Sequence, residues 1–149
     1  MTDAAMDELP DAIHERIEAI SDEGNVLIED GNALSAIARW QEALTLLPSP
    51  VEQWDAAMWL HASIGDGLRS MGRYEEALTS FRAASNASGG AGDAFVQFHL
   101  GATLVDLGRE DEAIDPLLRA YMAAGMNVFD DFGRSYVEPL ERRRLIGTN

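Results

Sequence analysis

The 149-residue sequence contains no cysteine and no lysine, and aromatic residues make up only 7% of it. The absence of cysteine excludes thiol catalysis, thiolate metal sites and disulfide frameworks. No apolar run approaches the roughly 20 residues that a membrane-spanning helix needs. The first eleven residues carry four acids and no basic residue, so they lack the basic start of a signal peptide. We therefore expect a cytoplasmic protein.

Positive charge is also scarce. Eleven arginines face 26 acidic residues, which gives a net charge of −15 and an isoelectric point near 4.3. Nucleic acids and anionic membranes repel such a polyanion, so neither is an expected partner, whereas a basic partner is attracted. Residues 1–31 hold ten acids against Arg16 alone. A solvated helix face is the simpler interpretation of this stretch, and an acidic edge that meets a basic partner is the alternative.

Residue patterns for catalysis or for metal binding are missing as well. His14, His61 and His99 lie far apart, without the spacing of metal ligands. The glycine-rich stretch 89–92 follows a predicted helix and lacks the lysine of a phosphate-binding loop. Paired carboxylates at 75–76 and 110–112 begin predicted helices, where they complement the helix dipole. We expect no catalytic residues, no metal and no cofactor, so the protein is not expected to be an enzyme.

The sequence repeats itself on Gly24, Gly65 and Gly101, which are 41 and 36 residues apart. A glycine in the first helix lets a second helix approach closely, and a glycine seven residues later ends the first helix in a left-handed cap. Two alanines seven residues apart share a helix face. Each unit therefore predicts a helix–turn–helix hairpin that must stack on a neighbour. The residues in register are Gly31, Gly72 and Gly108; Ala36, Ala77 and Ala113; Trp40, Phe81 and Leu117; and Ala43, Ala84 and Ala120.

Over residues 17–127 this pattern resembles the tetratricopeptide repeat family. The resemblance implies an all-α fold of three helix–turn–helix repeats, stacked as a short right-handed solenoid with a C-terminal capping helix. We expect one domain over 1–149, with repeats at about 17–50, 51–91 and 93–127 and a cap at about 133–146. Residues 1–10 are expected to be disordered or frayed. Segments 59–66 and 119–122 also look similar to small stand-alone bacterial members of the family.

The predicted helices cover residues 11–30, 33–47, 51–71, 74–87, 93–107 and 110–124, with a seventh at 134–145. The third helix is expected to gain extra turns after Pro50, because residues 51–57 continue its pattern. Pro116 should kink the sixth helix or displace its first turn. Residues 127–133 are expected to link the last hairpin to the cap.

The resemblance further implies that the first helix of each hairpin lines a concave groove, which we call the groove. Trp59, Phe95 and Phe98 would form an apolar patch there, surrounded by acids, with Arg69 as the only cation. The alternative is that Trp59 or Phe95 is covered by the third helix or the cap. The implied groove residues are Asn25 and Ile28 from the first repeat, Trp59, Ala62, Asp66 and Arg69 from the second, and Phe95, Phe98, Ala102, Val105 and Asp106 from the third.

These features favour a non-enzymatic interaction module that binds a protein or peptide partner, basic or apolar, in the groove. Chaperone cofactors of the family grip a C-terminal carboxylate with basic residues and asparagine, but Ser21 and Asp66 stand at two of those positions here. Three alternatives remain open. The protein could be an immunity or antitoxin-like protein that neutralises a basic toxin, a self-associating structural protein that forms a homodimer, or a binder of a small ligand.

Overall fold

The computed structural model describes residues 8–147, and within this range the chain forms α-helices and no β-strand. The all-α prediction is confirmed. Residues 1–7, which account for most of the predicted disordered stretch, lie outside the described residues. The helices are α1 (Asp11–Glu29), α2 (Ala33–Thr45), α3 (Asp55–Ser70), α4 (Tyr74–Asn86), α5 (Ala94–Asp106), α6 (Glu110–Ala124), α7 (Asn127–Phe132) and α8 (Glu138–Arg142).

The first six helices pack as three hairpins, α1 with α2, α3 with α4 and α5 with α6, and adjacent hairpins meet through α2 on α3 and α4 on α5. In every hairpin the first-helix glycine faces the large apolar residue of the second helix. A Cβ atom at Gly65 would lie 2.9 Å from the Phe81 ring, and one at Gly101 would lie 2.5 Å from Leu117. The glycines therefore set the distance between the two helices, as the repeat register predicts.

A left-handed glycine ends the first helix of each hairpin, with φ of +83° at Gly31, +76° at Gly72 and +77° at Gly108. Only glycine adopts this conformation without steric cost, and it lets the next backbone N–H reach a carbonyl five residues back. This predicted cap is confirmed in all three copies. The N–H donors and their acceptor carbonyls are Asn32 to Leu27 at 2.8 Å, Arg73 to Leu68 at 2.9 Å and Arg109 to Leu104 at 2.8 Å.

The repeat alanines and the residues between them form the centre of a continuous apolar core. Ala77, Phe81 and Ala84 of α4 are fully buried, as are their counterparts in α6. Because the alanines carry only a methyl group, the helix backbones approach closely while the larger side chain fills the remaining space. The core thus follows directly from the three-copy pattern.

The predicted extension of the third helix is found for residues 55–57 and is wrong for residues 51–54. Residues Val51–Gln53 form a single 3-10 turn, Trp54 is extended with φ −97° and ψ 135°, and α3 begins at Asp55. The cause is Trp54, whose indole is buried in the core and whose Nε1 donates to the Pro48 carbonyl at 2.7 Å. The expected displacement of the first turn by Pro116 is not found, because α6 runs from Glu110 to Ala124 with Pro116 inside it.

The C-terminal region also differs from the prediction. Residues expected to be a linker form α7, whose Val128 and Phe129 are buried against the last hairpin. The predicted capping helix is a 3-10 turn, Arg134–Val137, followed by the short α8. Val137 and Leu140 of this end are buried in the core. Two exposed ion pairs also join it to the start of α6, Arg142 with Glu110 at 2.8 Å and Arg143 with Asp111 at 2.6 Å. We call residues 127–142 the C-terminal segment.

Changing Ala77 to Leu should destabilise the protein by about 1–3 kcal/mol, because extra methyl groups have no space between the helices of the second hairpin. Chemical denaturation measures this change in the free energy of unfolding. Ala38→Leu is the matched control, since Ala38 is exposed on α2 and its replacement should change stability by no more than about 0.5 kcal/mol. Equal midpoints for the two variants would show that the hairpin packing is misassigned.

Candidate functional site

The C-terminal segment covers the third-repeat end of the groove. The Phe98 ring lies 5.3 Å from that of Phe129, 6.0 Å from Phe132 and 5.6 Å from Tyr136, measured between ring centroids. Phe98 is only 1% exposed, and Ala102 is fully buried. The expectation that these two residues line an open binding surface is therefore corrected: both are buried, and rings of the C-terminal segment pack on Phe98.

Arg69 links this segment to the groove helices. Its guanidinium donates to the Thr103 hydroxyl at 2.9 Å and to the Tyr136 hydroxyl at 2.7 Å, and it lies 2.6 Å from the Asp106 carboxylate. The Tyr136 hydroxyl in turn donates to Asp106 at 2.8 Å. Burial and the Asp106 carboxylate raise the pKa of Tyr136. The cation expected to serve a ligand in the groove thus has its partners within the chain.

An apolar cavity of about 230 Å³ remains open between α3 and α5. Trp59 and Phe95 stand half-buried on its walls, and buried Ala62 contributes to its lining. Phe132 of α7, which is 49% exposed, packs edge-on against Phe95 with ring centroids 5.3 Å apart. The cavity and Phe132 form a partly exposed aromatic surface, which we call the aromatic site. Its lining residues are Met58, Trp59, Ala62, Ser63, Asp93, Phe95 and Val96.

The remaining predicted groove residues do not line this cavity. Asn25 is exposed and Ile28 half-buried on α1, and Val105 is half-buried on α5. Asp66 is exposed on α3, although desolvation by its surroundings raises the pKa of its carboxyl against the opposing effect of Arg69. The structure therefore brings together Trp59, Ala62 and Phe95 and leaves the other predicted residues outside the cavity.

Comparison with known proteins identifies the family. The family model described as "Tetratrico peptide repeat" matches residues 29–140, which is most of the chain. This chain belongs to the tetratricopeptide repeat family. No curated protein matches it.

Solved structures of other tetratricopeptide repeat proteins share the fold at low sequence identity. The Yersinia enterocolitica type III secretion chaperone SycD, in complex with a peptide of the translocator YopD, has a TM-score of 0.69 and 18% identity over 88% of this chain and 94% of SycD. The second tetratricopeptide domain of Spaghetti (RPAP3), bound to the HSP90 peptide SRMEEVD, has a TM-score of 0.64 and 16% identity over 76% of this chain and 99% of that domain. MamA has a TM-score of 0.61 and 14% identity over 87% of this chain and 81% of MamA.

Sequence reasoning missed part of the aromatic site. Met58 and Ser63 flank Trp59 and Ala62 on α3, so a broader definition of the groove face would have included them. Phe132 and Tyr136 had no such signal, because they follow the last repeat and only the path of the C-terminal segment brings them to the groove. Their role depends on contacts between residues 30 or more positions apart.

His99 lies beneath the aromatic site and is buried among the rings of Phe81, Phe95, Phe98 and Phe132. Neither of its ring nitrogens has a hydrogen-bond partner among residues 8–147. Burial, aided by the charge of Arg69, lowers the pKa of His99 to about 4. The imidazole is therefore neutral at pH 7, as expected of a packing residue.

Two features are not found in the described part of the chain. No group of three histidine, cysteine, aspartate or glutamate residues within 8–147 is placed to hold a metal ion. No helix in the same range is long and apolar enough to cross a bilayer.

His99 should make the stability of the protein depend on pH. Because its pKa is about 4 in the folded protein and 6.5 in the unfolded chain, the unfolded state binds more protons between these values. Lowering the pH from 7 to 5 should therefore cost about 2 kcal/mol through this residue alone. Denaturant titrations at both pH values measure the loss, and His99→Phe and His99→Leu should each remove it. A loss of the same size in both variants would assign the pH dependence to other groups.

Proposed function

We propose that this tetratricopeptide repeat protein is a non-enzymatic binding module that holds a segment of another protein at the aromatic site. The observation that carries the proposal is the pair Trp59 and Phe95, which stand half-buried on one apolar cavity. Leu60 and Ile64 already fill the core side of α3, so core packing alone does not require Trp59. Large aromatic side chains in partly open pockets are the usual anchors of protein partners.

The comparisons support a peptide or protein segment as the ligand. SycD holds a peptide of YopD and the Spaghetti domain holds the HSP90 peptide SRMEEVD, and both share this fold. Because identity to each is below 20%, only the general binding mode is transferred, and the chemistry of the partner has to come from the residues of this chain.

The charges around the aromatic site favour a basic partner with a large apolar anchor. Asp93 lies on the cavity and Asp66 is exposed on the same helix as Trp59, while Arg69 is engaged by Asp106 and Tyr136. The peptide SRMEEVD carries three acids and one arginine, and such a sequence would be repelled here. A chain with net charge −15 attracts basic partners from a distance.

Two narrower roles are compatible with this proposal. Neutralisation of a basic toxin is favoured by the strongly negative net charge, and a neighbouring gene that encodes no basic protein would count against it. Self-association is favoured by Val26 and Leu34, which are 56% and 61% exposed on the first hairpin. A monomer in light scattering at high protein concentration would contradict self-association.

The proposal predicts which peptides the protein selects. A library of random twelve-residue peptides, selected on the wild-type protein, should yield sequences that combine arginine or lysine with a large apolar residue. Trp59→Ala and Phe95→Ala should each weaken the binding of a selected peptide by about tenfold or more, because each removes an anchor contact. Fluorescence anisotropy with a labelled peptide measures the change in Kd.

Met122→Ala is the control for this experiment, because Met122 is an exposed apolar residue of α6 that lies outside the cavity. It should leave the Kd unchanged, and all three variants should keep the helical content of the wild type. Selection of acidic peptides, or equal affinity for wild type and Trp59→Ala, would contradict the proposal.

A further inference from the structure

A second cavity lies beside Trp59. It has a volume of about 570 Å³ and opens between the start of α1, the start of α3 and the loop that follows α4. Trp59 lines both this cavity and the apolar one, so a partner segment that covers Trp59 reaches both. Three carboxylates, from Glu8, Asp11 and Asp55, line the second cavity, and we call it the acidic cavity.

The carboxylates of the acidic cavity have no basic partner in the described chain. All eleven arginines lie within residues 8–147, and none comes within 4 Å of a carboxylate oxygen of Glu8, Asp11 or Asp55. Asp55 has one polar contact, accepting a hydrogen bond from the Ser88 hydroxyl at 2.6 Å. His14 is the one lining residue that can become positively charged. The cavity therefore offers negative charge that the chain itself leaves without an arginine.

Two tryptophans line the acidic cavity, of which Trp59 is half-buried and Trp54 is held in the core. Trp54 is 7% exposed, and its indole Nε1 donates to the Pro48 carbonyl. The neighbouring loop is held by the Ser88 N–H, which donates to the Glu52 carbonyl at 2.8 Å. An indole face next to carboxylates suits a guanidinium group, because the planar cation stacks on the ring while its forked N–H groups donate to carboxylate oxygens.

We propose that the acidic cavity receives an arginine side chain of the bound partner, while the apolar cavity on the other side of Trp59 receives a neighbouring large apolar side chain. This inference rests on the proposed function and specifies its ligand. Charge complementarity selects arginine or lysine over any neutral or acidic residue, and the half-buried indole of Trp59 favours arginine over lysine. Trp59 separates the two side chains and contacts both.

The acidic cavity can be tested without knowledge of the natural partner. The probe is N-acetyl-arginine amide, and its neutral match is N-acetyl-citrulline amide, which has nearly the same shape. The chain has three tryptophans, so indole N–H signals in a nitrogen–proton correlation spectrum can be assigned with Trp→Phe variants. The arginine probe should shift the Trp59 signal saturably at millimolar concentration, the citrulline probe should not, and 0.5 M NaCl should suppress the shift.

Two substitutions assign the effect to the carboxylates. Glu8→Gln and Asp55→Asn keep the side-chain shape and should together weaken the arginine probe by about fivefold or more. Glu15→Gln with Asp22→Asn is the matched control, because it removes the same charge from exposed positions of α1 outside the cavity.

In a peptide selected from the library, replacing the arginine by citrulline should weaken binding to the wild-type protein at least fivefold. The same replacement should weaken binding to the Glu8→Gln/Asp55→Asn variant less than twofold.

The outcomes separate this inference from the proposed function. If Trp59→Ala and Phe95→Ala weaken the selected peptide while Glu8→Gln/Asp55→Asn acts no differently from its control, the acidic cavity inference is wrong and the aromatic site stands. If Trp59→Ala and Phe95→Ala leave peptide binding unchanged but the arginine probe still requires Glu8 and Asp55, the proposed function is wrong. Equal shifts by the arginine and citrulline probes would overturn the inference by themselves.

Discussion

The close contact between a glycine and a large apolar side chain inside each hairpin is the constraint on which the rest of the structure depends. A Cβ at Gly24, Gly65 or Gly101 would lie within 3 Å of the facing residue, so the two helices pack at a distance that only glycine permits. Each hairpin then presents a similar outer shape, and the next hairpin can stack on it. The positions of Trp59 on α3 and Phe95 on α5, six residues before their glycines, follow from this repeated geometry.

The C-terminal segment decides how much of the groove is available. Its aromatic rings bury Phe98, and the contacts of Arg69 with Asp106 and Tyr136 fasten the segment across α3 and α5. One consequence is that the third-repeat end of the groove is part of the core. Another is that the groove has no cation left for a ligand, since Arg69 already satisfies its charge within the chain. The aromatic surface that stays partly open in the described groove is therefore the one around Trp59 and Phe95.

Charge and apolar surface are combined in that neighbourhood. Arginines elsewhere in the chain pair with acids close to them, such as Arg39 with Glu42 and Arg109 with Glu112, whereas the carboxylates around Trp59 have no such neighbour. A partner with one basic and one apolar side chain in proximity would satisfy both features. The proposed partner is opposite in net charge to the HSP90 peptide SRMEEVD, which a domain of the same fold holds.

The sequence alone determined the hairpins. The spacing of small and large residues is a local property, because helix period and cap conformation depend on neighbours within a few positions. The glycine register, the three caps and the buried alanines could therefore be predicted. The sequence also indicated that Trp59 and Ala62 on α3 and Phe95 on α5 lie on the helix faces toward the groove. Only the tertiary structure decided the path of residues 127–142, the break at Trp54 and the burial of Phe98. The path of residues 127–142 depends on Arg69 meeting Tyr136, and the break at Trp54 depends on the burial of its indole in the assembled core. The energy of these contacts arises when packed elements exclude water, so no local pattern encodes them.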